Sequence, residues 1–337
     1  MLFLAIETSC DETAAAVFTD EPEILANVIA SQTDLHRRFG GVVPEVAARA
    51  HVKQLLPVVD EALRTAGVAL KDLSCIAVHN TPGLVGALLV GVSAAKMLAA
   101  TLEVPLIAVN HVEAHVFAAR LAAGRDIFPC VGLVVSGGHT ALFHCRDALS
   151  LELLGSTRDD AAGEAFDKVA QLVGLGFPGG PAVDREAAAG DPQAFRFPRS
   201  LMEEGNLDFS FSGLKTAVLY TAYGQDRLKG EPPMGQRRSD LAASFQKAVV
   251  DVLVEKSRRA LRQTGLNRLA VGGGVAANRA LRSALQEMVA HENGELFIPP
   301  MILCTDNAAM AALAVEKWRR GLFAPLDLDA VPNLAFS

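Results

Sequence analysis

The strongest constraint on what this chain can fold into is a plan of elements that it states twice. Residues 2–18 run as an apolar strand, a polar turn (Glu7-Thr8-Ser9-Cys10-Asp11-Glu12-Thr13) and a second apolar strand. Residues 131–145 repeat this, with Ser136-Gly137-Gly138-His139 as the turn. A second pair follows the same logic. A short strand at 75–78 leads through Thr81-Pro82-Gly83 into a long helix, and a strand at 269–271 leads through Gly272-Gly273-Gly274 into a helix over 278–288. Each half therefore supplies strand–turn–strand and then strand–glycine loop–helix. Duplicated halves of this kind predict two similar α/β lobes with a cleft between them, and small-residue turns facing each other across it.

Without a Cβ, Ser-Gly-Gly and Gly-Gly-Gly turns let backbone N–H groups approach an anion. One such turn says little. Two at equivalent points of a repeated plan point to a nucleotide or another phosphate ester. The segment 195–238 breaks the repeat and reads as an insertion with helices of its own. Within it, Phe209 and Phe211 are candidates for base stacking, but core packing is the preferred reading.

His111-Val112-Glu113-Ala114-His115 puts two imidazoles one helical turn apart, with Cβ atoms about 6 Å from each other on one face. That spacing lets both rings bind one metal ion, with a third ligand from elsewhere. The structural alternative has His111 capping a helix and His115 half-buried. The zinc-protease motif H-E-x-x-H needs glutamate directly after the first histidine. Here Glu113 comes two residues on, rotated by about 200° from His111, so that class of protease is disfavoured.

A third ligand is available in Leu303-Cys304-Thr305-Asp306-Asn307, ahead of an alanine-rich helix expected over 308–319. Asp306 on its own reads as an N-cap. Joined to His111 and His115, it completes a two-histidine, one-carboxylate set suited to zinc or ferrous iron. A further polar cluster spans 159–168. In it Asp160, Glu164 and Asp167 share a face, followed by the pocket-like run Gly176-Phe177-Pro178-Gly179-Gly180-Pro181 and then Asp184.

The chain has 337 residues, half of them apolar, enough for large cores. A net charge of −7 gives no global attraction to nucleic acid. RNA contact would need local patches such as Arg37-Arg38, Arg237-Arg238, Arg258-Arg259 or Arg319-Arg320, which read by default as solvated helix faces. Five cysteines without C-x-x-C spacing read as free thiols. No secretory signal is visible at the N-terminus. The apolar stretch 84–102 is broken by Gly86, Gly91, Ser93 and Lys96, and reads as a buried helix and not a membrane span. A cytoplasmic protein is expected.

Ser136-Gly137-Gly138-His139-Thr140, His111 to His115, Gly179-Gly180-Pro181, Gly272-Gly273-Gly274-Val275 with Asn278, Thr305-Asp306-Asn307 and the opening Glu7 to Thr13 occur in one order at consistent spacing. Together they resemble the TsaD (Gcp/Kae) family over essentially the whole chain. The resemblance implies an α/β chain of the actin/hexokinase/Hsp70 (ASKHA) fold, with two ribonuclease-H-like lobes and an active-site cleft between them. The expected lobes are 1–108 and 109–337, the second carrying a helical insertion near 195–238. The last helix, 308–321, is also placed to pack back on the first lobe.

The activity implied is transfer of a threonylcarbamoyl group from L-threonylcarbamoyl-AMP to the exocyclic amine of the adenosine 3′ to the anticodon, giving t(6)A in ANN-reading tRNAs. Carried over, His111, His115 and Asp306 would hold one divalent metal, with Fe(2+) favoured and Zn(2+) the alternative. Val134, Val135, Ser136, Gly137 and Gly138, with Asp167, Gly180, Asp184 and Asn278, would bind the adenylate. Asp11 or Glu12 is the expected proton acceptor. Partners implied are tRNA, a homologous non-catalytic TsaB-type subunit and a small P-loop ATPase of TsaE type, with a homo- or heterodimer compatible and no membrane. The competing readings are an O-sialoglycoprotein endopeptidase-like metalloprotease, a sugar kinase or ATPase of the same fold, and a pure binding module.

Overall fold

β1 (Leu2–Glu7) and β2 (Glu12–Thr19) are buried along nearly their whole length. Strands buried on both sides belong to a sheet covered on both faces. The computed structural model describes residues 1–21, 23–224 and 231–333. In it β3 (Ile24–Ser31) completes an antiparallel meander with β1 and β2. The chain then forms the short α1 (Thr33–Arg37) and the long α2 (Pro44–Ala66). Pro44 opens α2, where a missing N–H costs nothing, and Gly67 closes it in the left-handed conformation.

β4 (Cys75–Thr81) pairs in parallel with β1, α3 (Val85–Leu102) follows, and β5 (Leu106–Asn110) adds in parallel to β4. Of the described helices, α3 is long and apolar enough to cross a membrane. Here its small-residue face, Ala87, Gly91, Ala95 and Ala99, is buried against β4 and α2. Apolar side chains of β1, β2, β4, α2 and α3, among them Ile6, Val17, Ile76, Leu55 and Val92, form one core. α4 (His111–Ala123) leaves β5 without a linker.

The second unit begins with the meander β6 (Cys130–Val135), β7 (Thr140–Asp147) and β8 (Ser150–Ser156). Then come α5 (Ala162–Leu172), α6 (Gly179–Ala187), α7 (Ser212–Tyr223) and the 30-residue α8 (Gly235–Thr264). β9 (Arg268–Gly272) pairs in parallel with β6, α9 (Arg279–His291) follows, and β10 (Glu295–Phe297) joins β9. The two sheets run β3-β2-β1-β4-β5 and β8-β7-β6-β9-β10, the same order with the same strand senses. The duplicated plan of the sequence is thus a duplicated topology.

Residues 1–125 with 299–337 form one compact unit and 126–298 the other. The division therefore falls at 125 and not after 108. α4 packs on β4, β5 and the 3-10 helix Ala308–Leu313, so His111 and His115 stay with the first sheet. After α10 (Met301–Cys304), the helix expected over 308–319 is that 3-10 turn followed by α11 (Ala314–Arg319).

Of the expected insertion 195–238, residues 225–230 lie outside the described residues. The rest is a loop, α7 and the start of α8. Lys256 on α8 is wholly buried, and its Nζ donates to the carbonyls of Leu201 (2.6 Å) and Asn206 (3.0 Å), pinning that loop. Phe209 and Phe211 are wholly buried and stacked on each other, so core packing, not base stacking, is their role.

Gly273 adopts φ +94°, and a Cβ there would sit 2.3 Å from the Val135 carbonyl oxygen. Gly273→Ala is expected to destabilise the protein by about 1–3 kcal/mol, since neither the torsion nor the backbone contact can relax cheaply. At Gly137 a Cβ meets nothing within 4 Å, and Gly137→Ala should change stability by less than about 0.5 kcal/mol. Thermal melts of the two variants beside wild type check both values.

Candidate metal centre and glycine turns

The start of α4 is set by Asn110, whose Oδ1 accepts the N–H groups of Val112 (2.9 Å) and Glu113 (3.3 Å). Asparagine is among the best N-caps, so the helix starts at His111 and the histidine need not cap it. The His111 and His115 rings lie 4.6 Å apart, centroid to centroid. At the far end of the chain Asn307, not Asp306, caps the turn over 308–313. Its Oδ1 accepts Met310 N–H (3.2 Å) and its Nδ2 donates to Thr305 O (2.8 Å). Asp306 is thereby released: its Oδ1 lies 3.4 Å from His111 Nε2 and 3.3 Å from His115 Nε2.

These three donors lie within 4.8 Å of one another. His115 has no exposed surface, and neither of its ring nitrogens has a hydrogen-bond partner among the described residues. A buried imidazole whose Nε2 faces a carboxylate 3.3 Å away, beside a second imidazole, fits a metal ligand. Two imidazoles and a carboxylate without thiolate suit a divalent ion such as zinc or ferrous iron.

The protein supplies the charge balance of the group without an ion. Burial opposes ionisation of Asp306, but His111 and His115 outweigh it and hold the carboxyl well below its ordinary range. Burial likewise works against a charged His111, yet Asp306 and Glu7 push it up to about 10. His115 is held below its usual value by burial, reinforced by His111. Glu113 is outside the donor set. Burial raises its pKa against the opposing charge of Lys317, whose ammonium donates to Ala108 O. The protease arrangement is therefore not assembled.

The turn after β1 lies beside these residues. Thr8 Oγ1 donates to Ala87 O at 2.9 Å, and Ser9 N–H donates to the Glu7 carboxylate. Gly83 and Gly91 make room, because a Cβ would lie 2.5 Å from Ser9 O and 2.4 Å from Thr8 Oγ1 respectively. Burial raises Asp11, with Asp306 adding to it. Glu12 is pushed up to about 8, first by burial and then by Asp11 and Asp306, although Ser31 Oγ donates to it at 2.9 Å. Cys10 is raised well above the ordinary thiol value by burial and Asp11, which removes it as a thiolate nucleophile.

In the second unit, Ser136 N–H donates to His139 O (2.8 Å) and Ser136 Oγ accepts His139 N–H (3.1 Å), closing the turn. Gly137 and Gly138 have open space where a side chain would stand. Val134 and Val135 are buried in β6, so only their main chain can meet a ligand. Asp167 Oδ1 accepts Gly179 N–H at 2.7 Å. Packing requires glycine at Gly179, whose Cβ would sit 2.5 Å from Asp167 Cα, while Gly180 faces open space.

Asp184 is paired with Arg279 (2.7 Å), and Asn278 caps α9 through Leu281 N–H while donating to Gln246 Oε1 at 2.7 Å. Both are thus engaged by protein partners that sequence reasoning did not foresee. Glu7, Ser9 and His79 were also missed. The one available signal was a glutamate closing an otherwise apolar strand, where a buried charge demands a partner.

A family model described as TsaD, tRNA N6-adenosine threonylcarbamoyltransferase, matches residues 23–313. The chain belongs to the TsaD family. Relatives bearing that enzyme name include one from Rhodopirellula baltica, 52% identical over 99% of this chain and 97% of its own. Another from Anaeromyxobacter sp. is 54% identical over 98% and 99%, and one from Thermotoga neapolitana is 52% identical over 99% and 100%.

Among solved structures, full-length HypF in its phosphate- and nucleotide-bound form is similar at a TM-score of 0.63 and 15% identity. The likeness covers 96% of this chain and 56% of HypF, which is longer. The (R)-2-hydroxyglutaryl-CoA dehydratase component A of Acidaminococcus fermentans is similar at 0.53 and 15% identity, over 94% and 98%. These likenesses agree with the ASKHA fold.

The raised Glu12 carboxyl has a stability consequence. Its neutral form is favoured in the fold, so its contribution is fully present below pH 4.5 and is lost as pH rises toward about 8. Metal-free Glu12→Gln should therefore gain on wild type in melting temperature across that window, and match it below pH 4.5. A melt series from pH 4 to 9 reads the difference, and a constant offset would contradict the assignment.

Proposed function

We propose that this chain transfers a threonylcarbamoyl group from L-threonylcarbamoyl-AMP to the exocyclic amine of the adenosine 3′ to the anticodon in ANN-reading tRNAs, forming t(6)A. The observation that carries this is the group His111, His115 and Asp306 in a chain of the TsaD family. In the reaction the amine nitrogen bonds to the carbamoyl carbon, the carbon–oxygen bond of the mixed anhydride breaks, and AMP leaves with the electron pair. The amine proton goes to a carboxylate, Glu12 or Asp11. Burial raises the pKa of both carboxyls, which makes either a better proton acceptor than an exposed carboxylate.

His111, His115 and Asp306 hold one divalent ion, with Fe(2+) favoured over Zn(2+). Bound there, it supplies Lewis acidity or an anchor for the anhydride. The open N–H faces of Ser136, Gly137 and Gly138 donate to phosphate or carbamoyl oxygens. Asp167 and Asp184 accept from ribose hydroxyls with the acceptor capacity their present partners leave, Gly180 lets the nucleotide approach, and Asn278 holds the start of α9 against it. The main chain of Val134 and Val135 supports the turn.

The partners proposed are tRNA, a homologous non-catalytic TsaB-type subunit and a TsaE-type ATPase, with the chain acting in the cytoplasm. Among the described residues, five of the eight arginines in the doublets lie in ion pairs. Arg37 pairs with Asp34, Arg238 with Glu186, Arg258 and Arg259 with Glu255, and Arg319 with Glu316. With a net charge of −7, the chain needs a basic surface supplied by a partner to hold tRNA. Val52 and Leu56 on α2, and Val85 and Leu89 on the adjoining α3, are exposed apolar side chains that a subunit could cover.

The test is transfer of label from L-threonylcarbamoyl-AMP to unmodified tRNA, with and without the partner proteins. Wild type should label tRNA, while His115→Ala and Asp306→Ala should fall to the level of the enzyme-free control, as should wild type stripped of metal. Label retained by both variants would end the metal reading. Adenylate binding without transfer under any partner set would make the chain a regulator.

A further inference from the structure

Glu7 and His79 have no exposed surface and no part in the chemistry above. Glu7 closes β1 and His79 lies on β4, the strand that pairs with β1 in parallel. Glu7 Oε2 stands 2.7 Å from His79 Nδ1 and 3.2 Å from His111 Nδ1, and its other oxygen accepts Ser9 N–H. His111 therefore meets two carboxylates with two different nitrogens: Nδ1 toward Glu7 and Nε2 toward Asp306. Ser9 Oγ lies 3.1 Å from the same Nδ1.

We propose that Glu7 is a positioning residue. It accepts the Nδ1–H of His111 and so fixes the tautomer and ring orientation that turn the Nε2 lone pair toward Asp306 and His115. His79, edge-on to the His111 ring at 5.7 Å between centroids, lies against the same Glu7 oxygen that faces His111. The inference rests on the metal reading above. A ligating imidazole that donates its second N–H to a carboxylate is both oriented and made more basic, which strengthens the bond to the ion. Glu7, His79 and His111 also converge closely enough to suggest a second ion. One His111 ring cannot give a lone pair on Nδ1 to that ion and keep the Nδ1–H that frees Nε2 for the first.

The experiment titrates metal-free, full-length wild type, Glu7→Gln, His79→Gln, His111→Ala and His115→Ala with Zn(2+) against a chromophoric chelator. Co(2+) replaces Zn(2+) in a second series read by its visible bands. Wild type should bind one equivalent, and His115→Ala should lose it. Glu7→Gln should bind about 10–100-fold more weakly, with shifted Co(2+) bands. His79→Gln should weaken binding by less than about tenfold, with a shift in the same direction. Adding Glu7→Gln to His111→Ala should cost nothing further.

Should Glu7→Gln fail to fold by near-ultraviolet circular dichroism, the His79→Gln spectrum decides. Wild-type affinity and spectrum in folded Glu7→Gln would overturn the proposal, as would an additive loss in the double variant. Two equivalents in wild type, with one lost in His79→Gln, would make Glu7 a ligand and overturn it too. No uptake by wild type would overturn the metal reading together with this inference, whereas uptake unchanged by Glu7→Gln overturns the inference alone.

Discussion

Charge removed from water has to be answered by charge, and the first unit is organised around that requirement. Glu7, His79, His111, His115 and Asp306 converge where β1, β4, α4 and the turn after α10 meet. No one of them is tolerable there alone. Glu7 is answered by two imidazoles, and His111 by two carboxylates. His115 stays neutral because burial disfavours its charge. A divalent ion held by His111, His115 and Asp306 would replace the proton on His111 Nε2, so its uptake would be coupled to proton release.

The arrangement depends on neighbours that carry no chemistry. Asn110 and Asn307 each take the capping duty that would otherwise fall on the adjacent His111 or Asp306. Gly83 and Gly91 let the turn after β1 lie against α3 and the loop before it. In the second unit Gly163, Gly179 and Gly273 serve the same end. A side chain at any of them would meet backbone within 2.6 Å, so the Ser136 turn, α5 and α6 approach more closely than other residues permit. Gly137, Gly138 and Gly180, by contrast, leave open space where a side chain would stand.

Much of this was legible in the chain. The repeated strand–turn–strand plan became two sheets of identical order, because continuous apolar strand runs and turn chemistry are local. The histidine spacing gave a common helical face for the same reason. Read by itself, Asp306 is as good a cap as Asn307, and local sequence cannot say which of two adjacent caps turns inward; only the histidine pair singled Asp306 out as a ligand. The helix over 308–319 was expected as one α-helix because alanine favours it. Its first turns are 3-10, tightened where they pack against β1, β2, β3 and α4.

Glu7 was given no role because it read as one residue of a polar turn, and His79 passed unremarked as a lone polar residue on an apolar strand. Parallel pairing across more than seventy residues of chain brings them together. The same holds for Arg279, which pairs with Asp184, and for the return of the C-terminal stretch to the first unit. What the sequence alone determined is what short-range geometry controls: the duplicated topology, the paired histidines, the glycine turns and the set of residues available for chemistry. Which carboxylate faces which imidazole, which neighbour caps and which is freed, and where one unit ends were decided by tertiary structure. Those outcomes depend on burying charge among partners that only the folded chain brings within reach.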